Sequence, residues 1–411
     1  MNPTFKRLTP LLGLLVLLAG CGKTANPVTP TVIPPLLSLT LAVHADTLNV
    51  GETSQFVVAA VATDGAAYRG LLVWASSDPG VFVVNSIGRV TAIGEGSARL
   101  TVSGGGRADS ATVLVYPTAA GWLVQTSHAS EDLYGVFFDG AGRLGWAVGG
   151  GGVVLSTADA GATWTRRTPT SVTLRGVWFT SAQEGWAVGH AGTVLHTLNA
   201  GSTWTQITSA ASSENLSAVY FATRDTGWAV GAGGLILSTT DRGETWRRTL
   251  HGGVTLNGVM FAGTQDGWAV GDNGIVLGTH DRGLSWFTVP YATSLALRGL
   301  WRHDEATAVA VGAGGVVLRT SVTPDSVAWA VENAGSLNQL EGVCLADELT
   351  GFAVGSNGAG AVLRTTDGGA TWAPQIANSG DRLRGVFFLD ARRGWAVGDN
   401  GTIRHTASGG E

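Results

Sequence analysis

The chain has 411 residues, of which 44% are hydrophobic and 13% charged, with 61 glycines and a formal net charge of -5 at pH 7. The apolar share excludes a disordered chain, and sparse charge with abundant glycine favours many short strands joined by tight turns over long amphipathic helices. A net negative chain without a run of Lys or Arg interleaved with aromatics excludes nucleic acid as a partner.

In chain order, Lys6 and Arg7 precede an apolar stretch from Leu8 to Leu18 that is too short to span a bilayer and reads as an export signal. Leu18, Ala19, Gly20 and Cys21 resemble the bacterial lipobox. That resemblance implies acylation of the Cys21 thiol and loss of the preceding residues, so 1–21 is the signal and the membrane is reached through a lipid anchor. Gly22 in place of Asp resembles an outer-membrane sorting signal, so the expected location is the cell envelope at the outer membrane, facing the periplasm or the surface. Residues 22–37, rich in Pro and Thr, read as a tether. The one further cysteine, Cys344, occupies a strand position where sister repeats carry Phe137, Trp178, Tyr220, Met260, Trp301 and Phe387, and reads as a small apolar substitute.

Residues 38–117 show short apolar segments at the spacing of a β-sandwich. The segments GETSQF, VWASSDPGVFVVNSIGRVTAIGEGSARLTV and SATVLVY resemble the group 2 bacterial immunoglobulin-like domain. The resemblance implies a spacer, with Trp74 as its buried core aromatic.

Residues 118–411 repeat about every 40 residues, each unit reading LxGVxF, GWAVG, a Gly-rich turn with xVLxT, then xDxGxTW. GWAVG or its degenerate forms end at Gly149, Gly189, Gly231, Gly271, Gly312, Gly355 and Gly398. Four strand-like parts in each of seven units predict a seven-bladed β-propeller, so the expected fold class is all-β, an immunoglobulin-like sandwich followed by that propeller. The last unit lacks its TW strand while an orphan GWLVQTS precedes the first LYGVFF, so the orphan is expected to close the last blade. Asp159, Asp241, Asp281 and Asp367 stand in elements resembling the Asp-box of bacterial neuraminidase repeats, and turn geometry makes them clamps rather than acids or metal ligands. LxGVxF, GWAVG and DxGxTW together resemble the propeller family of photosystem II assembly and stability factors. That resemblance implies a binding scaffold.

While the framework repeats, the middle position of LxG varies as Tyr134, Arg175, Ser217, Asn257, Arg298, Glu341 and Arg384, and the turn after GWAVG contributes His190, Asp272 and Asp399. These are expected to line the channel mouth, where arginines suit carboxylates. The expected function is extracytoplasmic binding of a protein or envelope polymer by a monomer, without catalysis, cofactor or metal. The alternative is a sialidase-like glycoside hydrolase using Glu341 and Tyr134, against which stand near-uniform repeats and the lack of an Arg-Ile-Pro segment.

Overall fold

The computed structural model describes residues 33–42, 47–94, 96–116, 121–207, 213–290, 293–304, 307–323, 326–333, 339–356, 360–376 and 380–411. Cys21 and most of the expected tether lie outside these residues. Among the described residues the regular elements are β-strands and single 3-10 turns, and no helix is long and apolar enough to cross a membrane.

The N-terminal unit starts at strand Leu36–Ala42, two residues earlier than the sequence suggests, and ends with Arg107–Tyr116. Its small sheets share one core built on Phe56, Phe82, Val90, Leu100, Val102 and Val113. Trp74 departs from expectation, being only partly buried against that core. Its strand, Val73–Ser76, lies at the edge of its sheet, so one side of the indole has no neighbouring strand. Phe56 and Phe82, 1% and 0% exposed, are the central aromatics instead.

The described residues from Gly121 onward form seven four-stranded antiparallel sheets. The first comprises Leu133–Phe138, Gly145–Gly149, Val154–Thr157 and Thr165–Arg167. The second to sixth repeat this order, with first strands Leu174–Phe179, Leu216–Phe221, Leu256–Ala262, Leu297–Arg302 and Gln339–Leu345. The seventh joins Leu383–Phe388, Gly394–Gly398 and Ile403–Thr406 to Leu123–Gln125 from the other end of the array. Leu123 pairs with His405 and Gln125 with Ile403, and the Gly121 amide donates to the Glu411 carbonyl at 2.7 Å.

First strands touch their neighbours in cyclic order, and the first sheet also touches the seventh. Glycine at the third position of LxG permits that approach. A Cβ on Gly135 would stand 3.0 Å from the Arg175 carbonyl oxygen, and one on Gly385 would stand 2.8 Å from that of Tyr134. At Gly135 and Gly385 a Cβ would crowd the neighbouring inner strand, whereas the third sheet accommodates Ala218 at the same position.

In four of these sheets the tryptophan of GWAVG ties its sheet to the next. The Trp146 ring stacks on Phe179 at 3.5 Å, Trp186 on Phe221 at 3.7 Å, Trp228 on Phe261 at 3.5 Å and Trp395 on Phe138 at 3.6 Å. The indole N–H of each donates to a carbonyl in the Asp-box turn of that next sheet. These bonds run Trp146 to Ala200, Trp186 to Arg242, Trp228 to Arg282 and Trp395 to Ala160, at 2.9, 2.8, 2.9 and 3.1 Å. Such buried indoles combine large apolar area with a satisfied polar tip.

Inside each Asp-box the carboxylate holds its own hairpin. Asp367 Oδ1 accepts from the Thr371 amide at 2.9 Å and the Thr365 hydroxyl at 2.8 Å, while Oδ2 accepts from the Thr371 hydroxyl at 2.6 Å. Hydrogen bonds from Thr371 and Thr365 hold Asp367 down at a pKa of about 2 in spite of its partial burial, and Ser285 does the same for Asp281. Asn199 reproduces the clamp without charge, accepting from the Thr203 amide at 2.8 Å.

Candidate functional site

The site grows from the start of each first strand. In the first sheet the Gly150 amide, just after GWAVG, donates to the Asp132 carbonyl at 2.9 Å. The same bond runs from His190 to Thr173, Ala232 to Asn215, Asp272 to Thr255, Ala313 to Ala296 and Asp399 to Arg382. Each locks the turn after GWAVG against the entry to LxG. The last glycine of GWAVG permits this, since a Cβ on Gly149 would stand 2.2 Å from the Asp132 carbonyl oxygen.

This lock brings the seven varying side chains together. Tyr134, Arg175, Ser217, Asn257, Arg298, Glu341 and Arg384 line one cavity of about 100 Å³. Three guanidiniums face one carboxylate in that lining, so its own charge is positive inside a chain of net charge -5.

The arginines are not equivalent. Arg384 ion-pairs through Nε with Asp399, and its Nη2 lies 3.4 Å from Asp132 Oδ2. Glu341 is paired to Arg382, leaving the Arg298 Nε at 4.0 Å, beyond hydrogen-bond reach. Arg298 Nε is buried and has no hydrogen-bond partner among the described residues. Arg175 makes its contact with a ring, its guanidinium carbon lying 4.5 Å from the Tyr134 centroid, with Arg384 at 5.0 Å from the same ring. Burial lowers the Arg175 pKa, Tyr134 opposes this, and the guanidiniums of Arg384 and Arg298 lower it further. Three cations held this close repel one another, and an anion between them relieves that repulsion.

The three turn residues expected at the mouth have different surroundings. Asp272 accepts from Asn257 Nδ2 at 3.0 Å, and the same amide nitrogen donates to the Leu297 carbonyl at 2.8 Å, so this pair braces the wall. Asp399 is taken by Arg384. His190 has its pKa lowered by burial and by Arg175, which keeps the imidazole neutral near pH 7.

Sequence reasoning missed Asp132 and Arg382, which neutralise Arg384 and Glu341. The signal lay at the residue before the LxG leucine, where Asp132 and Arg382 are the charged members beside Thr173, Asn215, Thr255, Ala296 and Gln339. Among the described residues no group of three or more His, Cys, Asp or Glu is placed to hold a metal.

By sequence, the array matches the family described as Photosynthesis system II assembly factor YCF48, over residues 116–212 and 207–341. That covers more than half of the chain. The chain belongs to this family. Among solved structures it resembles YCF48 bound to D1 peptide, with TM-score 0.59 and 20% identity, covering 71% of this chain and 96% of that one. YCF48 from Cyanidioschyzon merolae gives 0.58 and 21%, covering 70% and 98%. The U3-55K structure gives 0.59 at 8% identity, covering 70% and 100%. These likenesses establish a propeller-like fold for the array. No curated protein matches the sequence.

Proposed function

We propose that this member of the YCF48 family is a lipid-anchored scaffold of the cell envelope, whose seven sheets form a seven-bladed propeller that grips an acidic part of a protein partner at the channel mouth. The observation that carries this reading is the convergence of the seven varying LxG positions on one arginine-rich cavity. Recurrent positions fix the frame, and recognition is left to positions that the frame does not need. Peptide binding by a related fold, in YCF48 bound to D1 peptide, supports a protein as partner. Acylation of Cys21 would supply the anchor, residues 22–37 the reach, and the immunoglobulin-like unit a spacer.

Binding is favoured over glycoside hydrolysis. Two carboxyl groups flanking the scissile bond serve most glycosidases. Here the lining holds one carboxylate, Glu341, already paired to Arg382, and the Tyr134 ring lies against two guanidiniums.

Crosslinking in cells followed by capture and mass spectrometry tests the reading. The wild type should sit in the membrane fraction and retain one specific protein that Arg175→Ala with Arg298→Ala loses at least tenfold. Retention of that partner by the folded double variant would refute the mouth as the site. Release of Cys21→Ser into the soluble fraction is expected, and its continued membrane retention would refute the anchor.

A further inference from the structure

Below the mouth a second set of inward positions follows three residues along each first strand, about 10 Å deeper at the rise of a β-strand. Phe137 meets Trp178 at 5.0 Å and Phe387 at 5.0 Å, and Trp178 meets Tyr220 at 4.8 Å. The fifth sheet contributes Trp301, which reaches past the sixth to Phe387 of the seventh at 6.0 Å. It can do so because the sixth sheet places there the short side chain of Cys344, fully buried. Trp301 thus packs against core clusters belonging to the first, fourth, fifth, sixth and seventh sheets. An indole packed against clusters drawn from five of the seven sheets reaches into the middle of the array.

The cavity above is therefore floored by apolar rings and walled by polar side chains. We infer that it is a blind socket which takes the carboxylate at the tip of a peptide, gripped between Arg175 and Arg298 above the Trp301 floor; this rests on the proposed binding role of the mouth.

Several facts select this chemistry. Arg384 is neutralised by Asp399 and Asp132, and so holds Tyr134 from one side instead of offering its charge. Arg175 also sets its guanidinium against that ring, 4.5 Å from the centroid, and has no ion pair with a carboxylate among the described residues. Arg298 keeps a buried Nε with no hydrogen-bond partner among the described residues, the Glu341 carboxylate standing 4.0 Å away. Buried donors of a charged group normally find acceptors, so two under-used guanidiniums at one cavity define where an oxyanion completes the structure. A closed floor then limits what can carry that oxyanion. A polymer running through the channel would have to displace Trp301 and its neighbours, whereas a chain terminus or the end of an acidic side chain enters and leaves by the mouth alone.

Three pools of acetylated random hexapeptides distinguish these sources: neutral residues with a free C-terminal carboxylate, one central Glu with an amidated end, and neutral residues with an amidated end. Retention on the immobilised soluble Cys21→Ser chain is read by mass spectrometry. At least one of the first two pools should be enriched tenfold or more over the third. Enrichment of the first alone identifies a chain terminus, and of the second alone a side-chain carboxylate. Arg175→Gln and Arg298→Gln should each abolish the enrichment while leaving the circular dichroism spectrum unchanged. Equal retention of all pools, or enrichment indifferent to both folded variants, overturns the inference. If the cellular partner is lost with the double alanine variant but the pools are retained equally, the socket fails while the binding site stands. If the partner also persists, the binding reading itself falls.

Discussion

The array has two arcs that solve one packing problem differently. From the seventh sheet through the first, second and third to the fourth, every junction pairs a GWAVG tryptophan with the Asp-box turn of the next sheet, by a stack and an indole hydrogen bond. From the fourth sheet through the fifth and sixth to the seventh, the same positions lack that bond. Trp268 of the fourth sheet has a buried indole nitrogen without a partner among the described residues, where the fifth sheet carries the strands Val316–Thr323 and Ser326–Asn333 in place of an Asp-box. The fifth sheet then offers Val309 and the sixth Phe352, neither of which has a donor. Phe352 still stacks on Phe388 at 3.5 Å. Stacking survives the change of residue, but the directional tie does not. Apolar burial is thus the common requirement of every junction, and the hydrogen bond is an addition confined to one arc.

The strongest break of this comparison lies at the seventh sheet, where the ends of the array meet. Deleting residues 121–127 removes Trp122, 9% exposed and packed edge-on to Phe388 at 5.6 Å, together with the pairing to Ile403–His405. It also removes Gln125, whose side chain donates to the Ala160 carbonyl at 3.1 Å in the first sheet. Losing a buried tryptophan alone costs about 3–5 kcal/mol, so the array's thermal midpoint should fall sharply. An unchanged midpoint in calorimetry would mean that the ring does not depend on this strand.

A finer contrast comes from two conservative changes, one in each arc. Trp228→Phe removes a satisfied buried N–H and leaves the Arg282 carbonyl without its indole donor. Trp268→Phe removes an N–H that has no partner. The first should cost about 1–3 kcal/mol more than the second, because leaving a buried group unsatisfied costs that much while deleting an already orphaned one costs nothing. Denaturant unfolding of both variants measures the difference, and equal losses would show that the indole bond adds nothing to the stack.

Much of this organisation could be read from the residues alone. The recurrence of LxGVxF and GWAVG marks the strands, and the varying residue inside LxG marks the mouth, because each register repeats with the period of the array. What could not be read is which partner each charge takes. Arg384 and Arg298 occupy the same register, yet one meets Asp399 and Asp132 while the other retains a buried Nε without an acceptor. That difference is made by residues from other sheets and from outside the motif, so no local pattern contains it. Trp301 is a similar case. Its motif register matches Trp178, yet it reaches past the small Cys344 of the next sheet to Phe387 of the one beyond. The exposure of Trp74 likewise follows from its strand being at an edge, a matter of sheet order that a short motif does not encode.

The smallest expected effect concerns the Asp-box turns themselves, where the array contains its own control. Asp367, with a folded pKa of about 2 against an ordinary 3.8, binds fewer protons when folded than when unfolded as the pH falls from about 4 towards 2. Its contribution is therefore fully present above pH 4 and is lost as the pH drops through the folded value. The nominal linkage is reduced because the carboxylate is partly exposed to solvent, leaving less than about 1 kcal/mol. Asn199 shows that an amide can make the same hairpin bonds, with Oδ1 on the Thr203 amide and Nδ2 donating to the Thr203 hydroxyl at 2.8 Å. Asp367→Asn should thus leave the melting midpoint at pH 7 within a degree or two of wild type, while flattening its decline between pH 4 and 2. Asp367→Ala should lower the midpoint at both ends of that range, since it loses the bonds as well as the charge. A wild-type slope persisting in the asparagine variant would assign the acid sensitivity to other carboxylates. A neutral-pH loss equal to that of alanine would show that the charge itself, rather than the bonds shared with Asn199, holds the turn.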